Sequence, residues 1–172
     1  METQKITPGK FALNYGLILG LVMIIIGVVT YVTGLALKLV QWPQWLYYIV
    51  FPVTVIYAIS QYKKNNGSLL SLGEAIKIGV IIGVISGLVY AVYVLIFNYI
   101  IDPEFMDLMM EATRDKMLEN PNMTEEVVDQ SLAMMEKFMN PLVGTAIWIA
   151  LSAFFGLLYS LIGGLVMKKE QE

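Results

Sequence analysis

In the stretch SLGEAIKIG, Ser71 to Gly79, a glutamate and a lysine stand at the mouth of a long apolar run. Glu74 and Lys77 are among the few charges beside such a run, and two readings compete for them: a working ion pair, or the start of a helix. Ser71-x-x-Glu74 fits a capping box. In that device the serine oxygen accepts from the backbone N–H of residue 74, and the glutamate reaches back to the N–H of residue 71. A carboxylate there also favours the positive end of the helix dipole. Lys77 lies one turn on, close enough to pair with Glu74 and to snorkel its ammonium to lipid headgroups. The start of a helix accounts for both residues without transport or catalysis, and on that account Glu74→Gln is nearly neutral.

The other residues that could do chemistry are fewer still. The chain has no cysteine and no histidine, which removes disulfides, thiol nucleophiles, Cys/His zinc sites and every His-based triad. Ser86 lies between glycines in GVISG, Gly83 to Gly87, with no histidine to activate it. Eight of the eleven methionines fall between residues 102 and 140: Met106, Met109, Met110, Met117, Met123, Met134, Met135 and Met139. Thioethers suit Cu(I), but these share helix faces with Phe and Val, where methionine is an adaptable filler. Packing is the better reading. The acidic residues of the same region form no D-x-[DN]-x-[DN]-G calcium loop. The sequence thus offers no catalytic, cofactor-binding or metal-binding residues, and it reads as a protein that is not an enzyme.

The elements that must position these residues are membrane spans. Of 172 residues 58% are hydrophobic and 15% charged, with a mean hydropathy of +0.69. A soluble domain carries about 25% charged residues and about 45–50% apolar ones. The excess is concentrated in blocks, predicting four transmembrane helices at 11–37, 44–62, 75–101 and 141–167. The first run far exceeds the apolar core of a signal peptide and ends in no A-x-A-like site, so it reads as a retained span. Thr7-Pro8 supplies its N-cap and first-turn proline. Trp42 and Trp45, in QWPQW, suit a membrane interface, and Pro52 predicts a kink in the second span. Polar residues in the runs are limited to the likes of Asn14, Thr30, Thr33, Thr54, Tyr57, Ser86, Tyr90, Tyr93, Asn98 and Thr145. The absence of Asp, Glu, Lys and Arg deep in any span weakens proton-coupled transport and intramembrane hydrolysis.

Small residues recur at four-residue spacing: Gly16 and Gly20 in the first span, Gly79, Gly83 and Gly87 in the third, Ser152, Gly156, Ser160 and Gly164 in the fourth. Such stripes let helix backbones approach closely in lipid. Bundle packing is favoured over a homodimer face or a solute path, because four spans need internal seams. Lys5, Lys10, Lys63, Lys64, Lys77, Lys168 and Lys169 fall on one side of a four-pass chain, against Lys38 and Lys137 near span ends on the other. Positive-inside counting therefore puts both termini in the cytoplasm.

The insert 102–140 then faces outward, with ten acidic against three basic residues and a net charge of −7. Asp102-Pro103 opens one helix, NPNMT (Asn120 to Thr124) turns the chain, and Asn140-Pro141 opens the fourth span. One apolar stripe holds Phe105, Leu108, Met109 and Ala112, with Met106, Met110 and Met117 beside it. The second helix gathers Val127, Val128, Leu132, Met134, Met135, Phe138 and Met139. Faces this wide must be covered by each other, by headgroups or by a partner. No basic patch with interleaved aromatics exists, so nucleic acid is not a partner.

The whole pattern resembles a bacterial membrane family known as domain of unknown function 4199. The likeness rests on four spans, on a G-E-A-x-K-x-G start to the third (Gly73, Glu74, Ala75, Lys77, Gly79), and on an I-D-P exit (Ile101, Asp102, Pro103) before a helical insert. It implies a protein of the inner (cell) membrane of Gram-negative bacteria, and it implies no reaction and no active-site residue. The expected fold is an all-α integral membrane bundle of four spans with an extracytoplasmic two-helix hairpin between the third and fourth. The expected role is non-enzymatic: the hairpin docks a protein partner, a second copy or the membrane surface through Phe105, Met106, Leu108, Met109, Met110, Met134, Met135 and Phe138. An oligomeric small-solute transporter or channel is the alternative.

Overall fold

The computed structural model describes residues 7–169, apart from the Met139 side chain; Lys5, one of the lysines counted above, lies outside the described residues. Six α-helices follow one another: α1 (Pro8–Val32), α2 (Trp42–Asn65), α3 (Leu72–Ile96), α4 (Phe105–Leu118), α5 (Glu125–Met139) and α6 (Pro141–Met167), with a π-helical turn, Phe97–Ile101, continuing α3. Four of these helices, α1, α2, α3 with its π turn, and α6, are long and apolar enough to cross a membrane. The shortest has 24 residues, about 36 Å at about 1.5 Å per residue, against a hydrocarbon core of about 30 Å. The chain is an all-helical, multi-pass membrane protein.

Local chemistry sets the helix ends. Thr7 Oγ1 accepts from the Lys10 N–H at 3.4 Å and Pro8 begins α1. Asn140 Oδ1 accepts from the N–H groups of Leu142 (3.0 Å) and Val143 (3.4 Å), with Pro141 as the first residue of α6. The first span had been expected to reach Leu37, but α1 stops at Val32. Gly34 takes a left-handed φ of +67° and sends its N–H to the Tyr31 carbonyl at 2.9 Å, which closes the helix five residues early. The second and third spans begin earlier than hydropathy suggested, at Trp42 and Leu72, because proline and serine cap positions start them before the apolar runs. Pro52 sits inside α2, which remains one helix through it.

α3 is the hub, packed most extensively on α6 and on α1, while α2 lies against α1, α6 and α3. The seam between α3 and α6 is made of residues almost without side chains. A Cβ on Gly79 would run into the Gly156 carbonyl and the Ser160 side chain, and one on Gly83 into the Ser152 carbonyl. Gly87 stands over Ile149 and Ser152, and Gly164 over Ala75 and Leu72. On the other side of α3, a Cβ on Gly16 would come 2.8 Å from Ile85 Cβ, and one on Gly20 2.7 Å from Val89 Cβ. These stripes therefore serve seams within one chain. In lipid, where tails are as apolar as Leu, such close backbone approach and its dispersion contacts supply much of the packing energy.

Gly83→Ala is expected to destabilise the bundle by about 1–3 kcal/mol, as overpacking against backbone does. Gly73→Ala, where an added Cβ meets nothing within 4 Å, is expected to be neutral or slightly stabilising. Thermal midpoints of both variants in one detergent check the contrast; equal midpoints would contradict the seam.

Candidate functional site

The two ends of the bundle differ in kind. At one end Ser71, Glu74 and neighbouring chain segments form a closed polar cluster. Glu74 N–H donates to Ser71 Oγ at 3.2 Å, and the Ser71 N–H donates back to Glu74 Oε2 at 2.8 Å, which completes the capping box. The Ser71 hydroxyl also reaches Oε2 at 3.0 Å. Sequence reasoning missed the next partner: the Tyr62 hydroxyl, on α2, donates to Glu74 Oε1 at 2.9 Å. The expected approach of Lys77 does not become an ion pair. Both carboxylate oxygens are taken by Ser71 and Tyr62, and the ion pairs among the described residues are Arg114–Asp129 and Lys116–Glu119. Leu70 and Lys169 exchange two backbone hydrogen bonds of 2.9 Å, and Lys63 Nζ caps the Met167 carbonyl at 2.7 Å. This end is a fastening.

The other end is hollow. A cavity of about 670 Å³ lies between the last turns of α1, the 36–44 segment, the end of α3, Trp148 of α6 and the inner face of α4. That volume falls within the roughly 300–1,000 Å³ of small-molecule sites. Its frame is aromatic. Tyr31, Phe97 and Phe105 meet edge to face at centroid distances of 4.8, 5.4 and 5.2 Å. The Tyr31 hydroxyl donates to Asp102 Oδ2 at 2.8 Å, tying α1 to the start of the insert.

The π turn explains the most distinctive wall residue. Asp102 N–H bonds the Phe97 carbonyl five residues back, at 2.9 Å, so the usual ladder is offset there. Asn98, 9% exposed, turns its amide nitrogen onto the Val94 carbonyl at 2.8 Å. Its Oδ1, like Trp148 Nε1 on α6, is a buried atom without a hydrogen-bond partner in the protein. Leaving such a group buried and unpaired costs about 1–3 kcal/mol. The lining of the cavity also carries Thr30, Gln41, Gln44, Thr113 and Lys116 among its apolar and aromatic residues. Sequence reasoning noted Asn98 only as one polar residue among several, and did not single out Trp148.

The insert is a helical hairpin, but its apolar residues do not form one face. Phe105, Met106 and Met109 roof the cavity, whereas Leu108 points away and is exposed. The register is fixed by the Tyr31–Asp102 bond and by Phe105 packed between Tyr31 and Phe97. On α5, Val128 is buried, while Met134 is 63% and Phe138 59% exposed, with Met135 less so. Arg114 and Asp129, 3.2 Å apart, cross from α4 to α5. Among the described residues no group of three or more acidic side chains gathers as a cation site.

A family model described as "Protein of unknown function (DUF4199)" matches residues 14–169. The chain belongs to that family. No curated protein and no solved structure matches it. Within DUF4199, then, this member combines a four-span bundle with a hairpin-roofed cavity.

Ser71→Ala should lower stability by about 1 kcal/mol through the lost cap. Glu74→Gln should now cost measurably more than the sequence alone implied, because a carboxamide offers one acceptor oxygen where Ser71 and Tyr62 use two. In a Tyr62→Phe background the same change should cost less, and thermal midpoints of the double-mutant set would show it. Replacing Met106, Met110, Met134 and Met135 by leucine keeps size and removes sulfur. Helicity and midpoint should change little, and equilibrium dialysis of the parent should show no stoichiometric Cu(I); tight copper binding lost in the leucine variant would refute the packing role.

Proposed function

We propose that this DUF4199 protein is a non-enzymatic ligand-binding protein of a bacterial inner membrane, with both termini cytoplasmic and the hairpin on the opposite side. The observation that carries the reading is the cavity of about 670 Å³ itself, whose mostly apolar and aromatic lining is interrupted by Thr30, Gln41, Gln44 and Thr113. Apolar pockets with a few convergent polar groups are where membrane-soluble molecules bind with orientation. The hairpin has a divided task in this reading. α4 roofs the site, and α5 rests its Met134 and Phe138 face on the membrane surface, continuous with the lipid-facing Leu142 and Val143 of α6. Orientation rests on the lysine asymmetry. Binding is favoured over transport because the tight α3–α6 seam lies beneath the cavity, and passage through the bundle requires that seam to part.

Single cysteines at Ser131 and Ser68 test the topology in this thiol-free chain. An impermeant thiol reagent on intact cells with a permeabilised outer barrier should label the first and spare the second; the reverse pattern would invert the orientation. Purification in mild detergent followed by mass spectrometry of bound small molecules tests the binding. A molecule retained in roughly stoichiometric amount should be lost from Gly27→Leu, which fills the cavity from α1. Equal retention by both proteins, or none by either, would count against the site.

A further inference from the structure

We propose, resting on the hairpin's seat at the membrane in the reading above, that α5 is an in-plane helix that takes a zwitterionic lipid surface and is loosened by an anionic one.

The depth of α5 follows from α6. That helix has 27 residues, about 40 Å at about 1.5 Å per residue, against a hydrocarbon core of about 30 Å, so its ends reach the headgroup layer. Asn140 alone separates α5 from α6, and a Cβ on Gly144 would lie 3.3 Å from the Phe138 carbonyl oxygen. The end of α5 therefore lies beside the first turn of α6, where Leu142 and Val143 are exposed. A bilayer that meets those two side chains also meets Phe138.

The faces of α5 are sorted for such a position. Val127, Ser131, Met134 and Phe138 share one helical stripe, and its three apolar members are all exposed. Val128, on the flank beside them, is buried; the stripe is apolar surface left over after α5 has packed. Glu125, Asp129 and Glu136 lie on the opposite side with Glu126 next to them, and all four are exposed. An apolar face below and a charged face above is the pattern of a helix lying in the membrane interface.

Charge then selects the lipid. Interfacial helices commonly carry Lys and Arg on the polar face, which adds attraction to anionic lipids. On α5 four carboxylates stand against Lys137, within a segment, 102–140, of net charge −7. The negative potential of an anionic leaflet extends over a Debye length of about 8–10 Å at ordinary salt, and it repels acidic side chains held within that reach. Apolar burial holds α5 down on any lipid. Only a surface without net charge leaves that attraction unopposed.

Met134→Cys and Ala133→Cys, made singly in this thiol-free chain and carrying the same environment-sensitive dye, put a probe on the stripe and on the far side of α5. The full chain in nanodiscs of phosphatidylcholine, part of it brominated, should show blue-shifted, quenched emission at position 134 and neither at 133. With the brominated fraction held constant, phosphatidylglycerol in place of some of the remaining lipid should shift the emission at 134 to the red and relieve its quenching at low salt. Salt near 1 M, which shortens the Debye length to about 3 Å, should reverse both changes. Glu125→Gln/Glu126→Gln/Glu136→Gln should seat α5 equally on the two lipids, and the comparison of lipids on the unneutralised helix stands even if that variant fails to fold. Emission at 134 that ignores phosphatidylglycerol, or is quenched more strongly by its addition, would overturn the charge preference. Equal quenching at 133 and 134 would refute the face-down seat. No quenching at 134 in phosphatidylcholine would remove α5 from the membrane altogether, while the cavity reading, tested by retained small molecules, would survive.

Discussion

Everything in this bundle depends on how closely α3 can approach α6. The contact is backbone against backbone along Gly79, Gly83 and Gly156, with Ser152 and Ser160 as the largest intruders. In a bilayer there is no water to drive helices together, so intimacy of contact has to replace the hydrophobic effect. The glycines give up side-chain packing and helix propensity in exchange for short interhelical distance. With that axis set, α1 can seat Gly16 and Gly20 on the opposite flank of α3, and α2 is left to close the remaining side with Phe51, Val55 and Ile59, all buried.

The tight seam also accounts for the difference between the two ends. Where α3 begins, polar groups from α2, α3 and the segment after α6 satisfy one another through Glu74, Ser71, Tyr62 and Lys63. Where α3 ends, large aromatic residues replace glycine. Tyr90, Tyr93, Phe97 and Trp148 hold the helices apart, and the π turn that follows buries Phe97 and Asn98. Small residues thus close the bundle and aromatic residues open it, along one continuous helix.

What the sequence made legible was whatever is written locally. The capping box is four residues long and visible in Ser71 and Glu74; the four-residue stripes are visible because lipid leaves few other reasons for them. The four spans are visible from composition. What escaped lies between elements or in backbone geometry. Tyr62 meets Glu74 from a different helix. The stop at Val32 is set by the left-handed Gly34 inside an uncharged run, where hydropathy has no boundary to offer. The cavity joins Asn98 and Trp148, distant in the chain, and the π turn that holds Asn98 is a backbone offset that no residue spacing announces. The apolar face of α4 was legible as a stripe, but its rotation, with Phe105 and Met109 inward and Leu108 outward, was decided by the Tyr31–Asp102 bond.

That bond, together with the single residue Asn140 between α5 and α6, gives the hairpin an uncommon mechanical position. One foot is fastened to α1 through Asp102 and the other is an immediate extension of α6, and these two helices flank α3 instead of leaning mainly on each other. Any tilt or twist of α6 relative to α1 has to be absorbed by the span of chain that joins the feet. The stiff parts of that span are α4 and α5; its compliant part is the turn at 119–124, held by short-range bonds from Met123 N–H and Asn122 N–H to Asn120. The hairpin is therefore a linkage in the engineering sense, with two anchored bars and one hinge. Because α4 also lines the cavity, a shift of α6 against α1 would be felt at the roof of the cavity before it reached the tight seam.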